Sequence, residues 1–317
     1  MVETELIFKK DSISHDQLVG AVVVLFLPDA KLLERLLNSL VDEVDQIYVI
    51  DNTPEKALSW QSQEWFLNKR YNVTYKSLGD NYGIAKAQNI GINMASKSGC
   101  GHVILFDQDS ALTKGMVNKL LIAEQFLLNK SIKVGSVGPI TKDEKTGKYL
   151  NVINHGRFLI NKINVSPEVK APVNADYLIS SGSLIRMDVL DAVGLMREDL
   201  FIDWVDIEWG LRAASLGFLH FAVPSAVMFH SVGDEFVKMG NHTVNLHNDV
   251  RNYYIVRNAS HLLLDSKIDN RWRANILFKI PLWVLFYSLT SKSKLGSFKL
   301  LLRACCDGFS GRLGRYS

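Results

Sequence analysis

The feature that most narrows the fold is an unbroken apolar run rich in valine, Val19–Leu27 (VGAVVVLFL). A strand that is apolar on both sides of its pleat must be covered on both faces, as a central strand of a parallel sheet is. The pattern then repeats at intervals a helix can fill. Pro28-Asp29 opens a helix whose Leu33, Leu36, Leu37 and Leu40 fall at i, i+3, i+4 and i+7. Gln46–Ile50 (QIYVI) reads as a second strand and Val73–Lys76 as a third. Ile84–Met94 reads as a helix with small residues, and His102–Phe106 (HVILF) as a fourth strand. This alternation predicts an α/β fold, a mostly parallel sheet with helices on both faces.

In open sheets of this kind ligands bind beyond the carboxyl ends of the strands. The three later strands run into Asp51-Asn52-Thr53-Pro54, Asp80-Asn81 and Asp107-Gln108-Asp109. Any one of these is ordinary turn or N-cap chemistry; all of them at one edge point to a site. Two carboxylates one residue apart, as in Asp107-x-Asp109, can hold a hard divalent cation and a sugar or ribose hydroxyl. The cation then bridges substrate phosphate oxygens. Dinucleotide-binding, P-loop and serine-hydrolase chemistries lack their signatures. No GxGxxG follows the first strand, no GxxxxGK[ST] occurs, and no GxSxG elbow is present. A nucleotidyltransferase needs a glycine-rich basic loop after the first strand, and LFLPDAK is neither.

The second half changes character. Tyr177–Arg186 (YLISSGSLIR) predicts two short strands around Ser180-Ser181-Gly182, and Leu200–Gly217 a helix closed by a C′ glycine at Gly217. Phe218–Val223 and Ala226–Phe229 are strand-like, the latter ending at His230-Ser231-Val232-Gly233. From about Asn245 the chain reads as helices rich in Arg, Tyr, Trp and Leu. The expected organisation is an α/β domain over 1–245, with a first half at about 19–110 and a second at about 111–245. A C-terminal helical region over 246–317 follows.

Composition bounds the partners. The 317 residues are 47% hydrophobic and 22% charged, enough apolar material for a sizeable core. Lys plus Arg (36) nearly balances Asp plus Glu (33), so the net charge of +3 gives no reason to expect nucleic acid. The distribution is uneven, however. Residues 266–317 carry ten Lys/Arg against Asp269 and Asp307, a local charge of +8. Three cysteines without CxxC spacing exclude a disulfide framework and a zinc ribbon, and fit a reducing, cytoplasmic compartment. The N-terminal stretch is polar, and the longest uncharged apolar run, Ile280–Thr290, falls short of the ~18 residues of a spanning helix. The basic, aromatic-rich tail predicts either a peripheral contact with a membrane surface or a homodimer interface.

The ordered series VVVLFLPD, IYVIDNT, GDNYGIAKAQNIGI, VILFDQDS, SSGSLIR, LFIDWVDIEWGLRAASLGF and MFHSVGD resembles the family 2 inverting glycosyltransferases of the GT-A fold. Within that family it is most similar to bacterial rhamnosyltransferases that use dTDP-L-rhamnose. The resemblance spans roughly residues 19–260. It implies transfer of L-rhamnose to a saccharide acceptor, a lipid-linked oligosaccharide or polysaccharide of the bacterial surface. The same fold with a UDP-linked hexose, or a non-catalytic scaffold of the assembly complex, are the alternatives. It implies Mg2+ or Mn2+ as cofactor and a place at the inner face of the cell membrane. By position, Asp51 resembles the aspartate that contacts the base, and Asn81 part of the nucleotide-pocket rim. Gln88, Ser181 and Gly182 join the nucleotide-sugar set, whereas Asn89 and Gly91 resemble structural helix residues. Asp107 and Asp109 match the metal and ribose pair, with Asp109 the metal ligand, and His230 resembles a histidine completing the metal shell or touching the diphosphate. The first-strand exit departs from the family's polar pattern: Phe26-Leu27-Pro28 offers the base only backbone and apolar contacts.

Inverting transfer needs one general base for the acceptor hydroxyl. In the family this is an Asp at the start of a helix, six residues before an Arg, which Asp206 and Arg212 match. Asp203 and Glu208 compete. Glu208 and Arg212 are i, i+4 neighbours suited to an ion pair, and Asp203 falls where a cap is expected. Asp206 has no opposite charge at i+3 or i+4, so it is the expected base, with Asp203 the rival. Trp204 and Trp209 either floor an acceptor sugar, together with Asp203, or pack in the core.

Overall fold

A computed structural model describes residues 17–57, 72–156, 160–230, 235–239, 242–246 and 248–316. Ser231-Val232-Gly233 of the strand-end motif and the polar N-terminal segment lie outside them. The first half alternates as expected: β1 (Leu18–Leu25), α1 (Ala30–Leu40), β2 (Gln46–Asp51), β3 (Val73–Ser77), α2 (Ile84–Lys97) and β4 (Cys100–Asp107). β1 pairs in parallel with β2 and β4, and β2 with β3. Asp29 caps α1 by accepting from the Lys31 and Leu32 amides, and the four predicted leucines are its buried face.

The second half contributes β5 (Ala111–Leu112), α3 (Met116–Leu128), β6 (Val134–Asp143), β7 (Asn151–His155), β8 (Ile160–Asn164), β9 (Val173–Ala175), β10 (Leu184–Arg186), α4 (Met187–Val193), α5 (Val205–Ser215) and β11 (Leu219–His230). The main sheet runs β3-β2-β1-β4-β10-β6-β11-β5, with β9 on β11. β10 is antiparallel to β4 and β6, which makes the sheet mixed. Of the two strands expected in Tyr177–Arg186 only the second forms. The turn between them is at Gly182, which takes φ +82° and where a Cβ would lie 2.6 Å from Pro139, so only glycine fits. Phe218–Val223 and Ala226–Phe229 are one strand, not two, interrupted by a register shift against β6 between Val223 and Val227.

The helix expected over Leu200–Gly217 begins at Val205. Its end is as predicted: Gly217 has φ +81°, with Phe218 N–H donating to Ala213 and Gly217 N–H to Ala214, a Schellman closure. Upstream, Phe201, Asp203 and Trp204 all have positive φ, which no helix tolerates.

After the short hairpin β12 (Glu235–Met239) and β13 (His242–Leu246) come α6 (Asp249–Leu262), α7 (Asn270–Thr290) and α8 (Lys294–Phe309). Tyr253, Val256, Ile276, Val284 and Leu301 share one buried cluster with Val22, Ile50 and Val103 of the sheet. The C-terminal helices therefore complete the core on one face, while α1 and α3 cover the other.

Candidate active site

The register aligns Leu25 with Asp51, Asp51 with Ser77, and Val24 with Asp107, so the acidic turns share one sheet edge. Asp51 has no exposed surface. Its carboxylate accepts from Tyr75 Oη at 3.0 Å and from the Thr53 amide at 2.9 Å. Thr53 Oγ1 in turn accepts from the Leu27 amide at 2.9 Å. Asp51 thus ties the turn after β2 to the neighbouring strand β3. Asn81 joins the turns after β2 and β3, its amide oxygen accepting from Asn52 Nδ2 (2.9 Å) and the Gly83 amide (3.0 Å). Gly83 has φ +87°, and a Cβ there would sit 2.5 Å from the Phe201 carbonyl oxygen. Only glycine lets the start of α2 meet the loop before α5, where the Ile84 amide donates to that carbonyl at 2.8 Å. Gln88 is buried on α2 and its Oε1 has no hydrogen-bond partner among the described residues. Asn89 is structural, bridging Met196 and Glu198.

Gln108, between the two aspartates, grips the exit of β1: it accepts from the Phe26 amide (2.8 Å) and donates to the Phe26 carbonyl (3.1 Å). Phe26 and Leu27 are left exposed there, beyond the end of β1. A side-chain chain joins the rest: Ser181 Oγ accepts from the Asp107 amide at 3.2 Å and lies 2.6 Å from Ser110 Oγ. Ser110 reaches His230 Nδ1 at 3.2 Å, and that nitrogen is 3.2 Å from Asp109 Oδ1. Burial alone would lower the His230 pKa, but the Asp109 hydrogen bond and charge, then Asp107 and Asp143, raise it. Burial pushes the Asp107 carboxyl up, against the charge of His230.

Two carboxylates and an imidazole are suitable donors for Mg2+ or Mn2+, and Asp109 already converges on His230. No group of three His, Cys, Asp or Glu side chains at ligand geometry forms among the described residues.

The three acids at the start of α5 separate clearly: Asp203 precedes the helix, and Asp206 and Glu208 lie in its first turn. Glu208 is buried and ion-paired with Arg212 at 2.7 Å, and Arg212 also holds the Leu195 carbonyl at 2.9 Å. Asp203 does not cap the helix; it pairs with Arg251 of α6 at 3.1 Å. Asp206 forms no ion pair among the described residues. Its Oδ1 accepts from the Ile207 amide (2.9 Å) and Oδ2 from the Ser180 amide (3.2 Å). Burial lifts its pKa to about 6; the two amides oppose this, and the charges of Asp107 and Asp203 add to it. A carboxylate that is fixed, unpaired and poised near neutrality is suited to accept a proton.

Trp204 and Trp209 serve packing. Trp204 donates to the Ile255 carbonyl and meets Trp283 edge-on at 6.0 Å. Trp209, 3% exposed, donates to the Gly194 carbonyl and meets His220 at 5.8 Å. Both indoles belong to the buried core cluster, and each N–H is already committed to a backbone carbonyl. Trp209 and His220 line a narrow cavity beside Asp206 with Ser180 and Ser183.

Asn258 is the residue the sequence pattern did not reveal. Buried on α6, its amide nitrogen lies 2.9–3.0 Å from the carbonyls of Leu200, Ile202 and Asp203. Arg257 supports it, bonding Asn258 Oδ1 and the Leu200 carbonyl. This clamp holds the positive-φ loop that delivers Asp206. Its only sequence signal is an Arg-Asn pair inside a helix, too common to read.

The sequence matches the family described as Glycosyl transferase family 2 over residues 21–194. The chain belongs to that family and is a glycosyltransferase of the GT-A fold. Its sequence is 33% identical over 298 residues to the "dTDP-rhamnosyl transferase RfbF" of Shigella flexneri, covering 93% of this chain and 97% of that one. Among solved structures it resembles GalNAc-T7 with UDP, GalNAc and Mn2+ (TM-score 0.57, 15% identity, 89% of this chain and 59% of that one). It also resembles S. aureus TarS residues 1–349 in complex with UDP-GlcNAc (TM-score 0.54, 17% identity, 90% and 81%). The structural likenesses are of fold.

Proposed function

We propose that this glycosyltransferase is an inverting rhamnosyltransferase. It moves L-rhamnose from dTDP-L-rhamnose onto a lipid-linked saccharide of a bacterial surface polysaccharide, at the cytoplasmic face of the membrane. The donor assignment is supported by the near full-length identity to a dTDP-rhamnosyl transferase. The observation that carries the mechanism is Asp206: a carboxylate anchored by two backbone amides with its pKa raised to about 6. In this reading Asp206 takes the proton of the acceptor hydroxyl as that oxygen attacks the anomeric carbon from the face opposite the nucleotide. Asp109, Asp107 and His230 would hold a divalent ion, which would supply positive charge for the leaving diphosphate. Ser181 and Ser110 fix the Asp107 turn and the His230 ring so that these donors face the strand edge. Asn81 and Gln88 border the nucleotide, with Asp51 behind them.

Incubation of the purified protein with dTDP-L-rhamnose and a saccharide acceptor, read by NMR, tests this. The product linkage should have the opposite anomeric configuration to the donor. Retention of configuration, or turnover only with a UDP-hexose, would overturn the reading.

A further inference from the structure

We infer that the outer faces of α7 and α8 form a docking surface for an anionic lipid bilayer. The inference gives a physical surface to the membrane-face location proposed above. α7 is apolar on two opposite sides. Ile276, Ile280, Val284 and Tyr287, at i, i+4, i+8 and i+11, are buried against the core. Phe278, Leu282, Leu285 and Leu289, at i, i+4, i+7 and i+11, form a second stripe that is 51–72% exposed. A helix apolar all round is normally enclosed; here only half of it is. α8 repeats the arrangement: Ser297, Leu301 and Ala304 face inward while Leu295, Phe298 and Leu302 are exposed. No helix among the described residues is long and apolar enough to cross a membrane, so the two stripes suit a surface that lies in the interface plane.

Charge chooses the occupant. Residues 266–317 carry +8; four of their arginines are already paired, Arg271 with Asp269, Arg303 and Arg312 with Asp307, and Arg315 with Asp80, which leaves mainly the lysines as available cations. Lys292, Lys294 and Lys299, at the α7–α8 junction and along α8, are exposed and form no ion pair among the described residues. A second copy docking through the same surface would bring two such basic faces together, whereas anionic headgroups match them. The placement also suits the chemistry. The face of α7 turned inward carries Trp283 against Trp204, two residues before Asp206, and Ser291 and Ser297 bond Asp249 near the start of α6. The membrane-facing hairpin is therefore packed directly on the elements that hold the proposed base.

Co-sedimentation of the full chain with vesicles tests the inference. One set is phosphatidylcholine alone; the other contains about one-third phosphatidylglycerol; both are run at low and high salt. Binding should be strong to the anionic vesicles at low salt, and about tenfold or more weaker on neutral vesicles or at high salt. The double variant Phe278→Asp/Leu285→Asp should lose vesicle binding while keeping its thermal unfolding midpoint, its stabilisation by dTDP and its turnover of a water-soluble acceptor. The triple variant Lys292→Glu/Lys294→Glu/Lys299→Glu should lose the salt-dependent part. Absence of binding to the anionic vesicles by the wild-type chain would overturn the inference. So would a dimer in light scattering that Phe278→Asp/Leu285→Asp converts to monomer, since a second copy would then cover the stripes. Failure here leaves donor turnover intact, so it is distinguishable from failure of the rhamnosyltransferase reading.

Discussion

Asp206→Asn separates catalysis from stability in one side chain. The amide keeps the shape of the carboxylate but cannot take a proton, so turnover should fall by ~10²–10⁴-fold, the usual contribution of a general base. Stability should move the other way. The pKa of Asp206 rises from 3.8 to about 6 on folding, which corresponds to about 3 kcal/mol of disfavoured charge. Because the folded value is the higher one, the native state holds the extra proton between those pH values. Stability therefore falls as pH rises through that window, and the loss is complete above about pH 6. The amide escapes this cost but turns an N–H toward either the Ser180 or the Ile207 amide, which offsets about 1–2 kcal/mol. The net gain at pH 8 is about 1–2 kcal/mol, a rise of a few degrees in Tm. Tm of both proteins measured from pH 4 to 8 should show the advantage of the variant shrinking as pH falls. In parallel, kcat of the wild type should show an acid limb near pH 6. A Tm difference independent of pH would refute the buried-carboxylate argument. Near-normal turnover in Asp206→Asn combined with loss in Asp203→Asn would move the base to Asp203.

Other outcomes follow from the same geometry. Asp109→Ala should abolish transfer, and excess EDTA should do the same to the wild type; full activity in EDTA would recast Asp107 and Asp109 as ribose and sugar ligands. Asn258→Leu leaves loop carbonyls unpaired, a cost of about 1–3 kcal/mol, and should lower kcat while leaving the Kd for dTDP within about twofold; an unchanged kcat in the folded variant would remove the clamp from the account. Gly83→Ala forces a methyl against the Phe201 carbonyl in a backbone region costing ~1–2 kcal/mol for an L-residue. Urea titration should show it less stable by at least that amount.

The parallel half was legible because burial on both faces leaves continuous apolar runs, as at Val19–Leu25 and His102–Phe106. Local pairs were legible for the same reason of short range: Glu208 with Arg212 and the closure at Gly217 both sit within one or two helical turns. What escaped depends on distant partners. The start of α5 is set by Asn258, more than fifty residues downstream, which stabilises backbone angles that Phe201, Asp203 and Trp204 would not adopt alone. The turn at Gly182 likewise depends on a distant neighbour, Pro139, which leaves no room for a Cβ there. Trp204 and Trp209 looked equally suited to sugar stacking and to packing, and only the position of Trp283, Ile255 and Gly194 decides for packing. Asp51 stands where expected, yet Tyr75 from the neighbouring strand encloses it.

The central claim, a dTDP-L-rhamnose donor bound at the Asp51–Asp109 strand edge, is tested most directly by calorimetric titration with dTDP, UDP and GDP, each with and without Mn2+ or Mg2+. The account predicts that dTDP binds tightest, that the metal strengthens it, and that Asp109→Ala removes the metal's effect. Equal or tighter binding of UDP or GDP, or dTDP binding indifferent to metal and to Asp109, would contradict it.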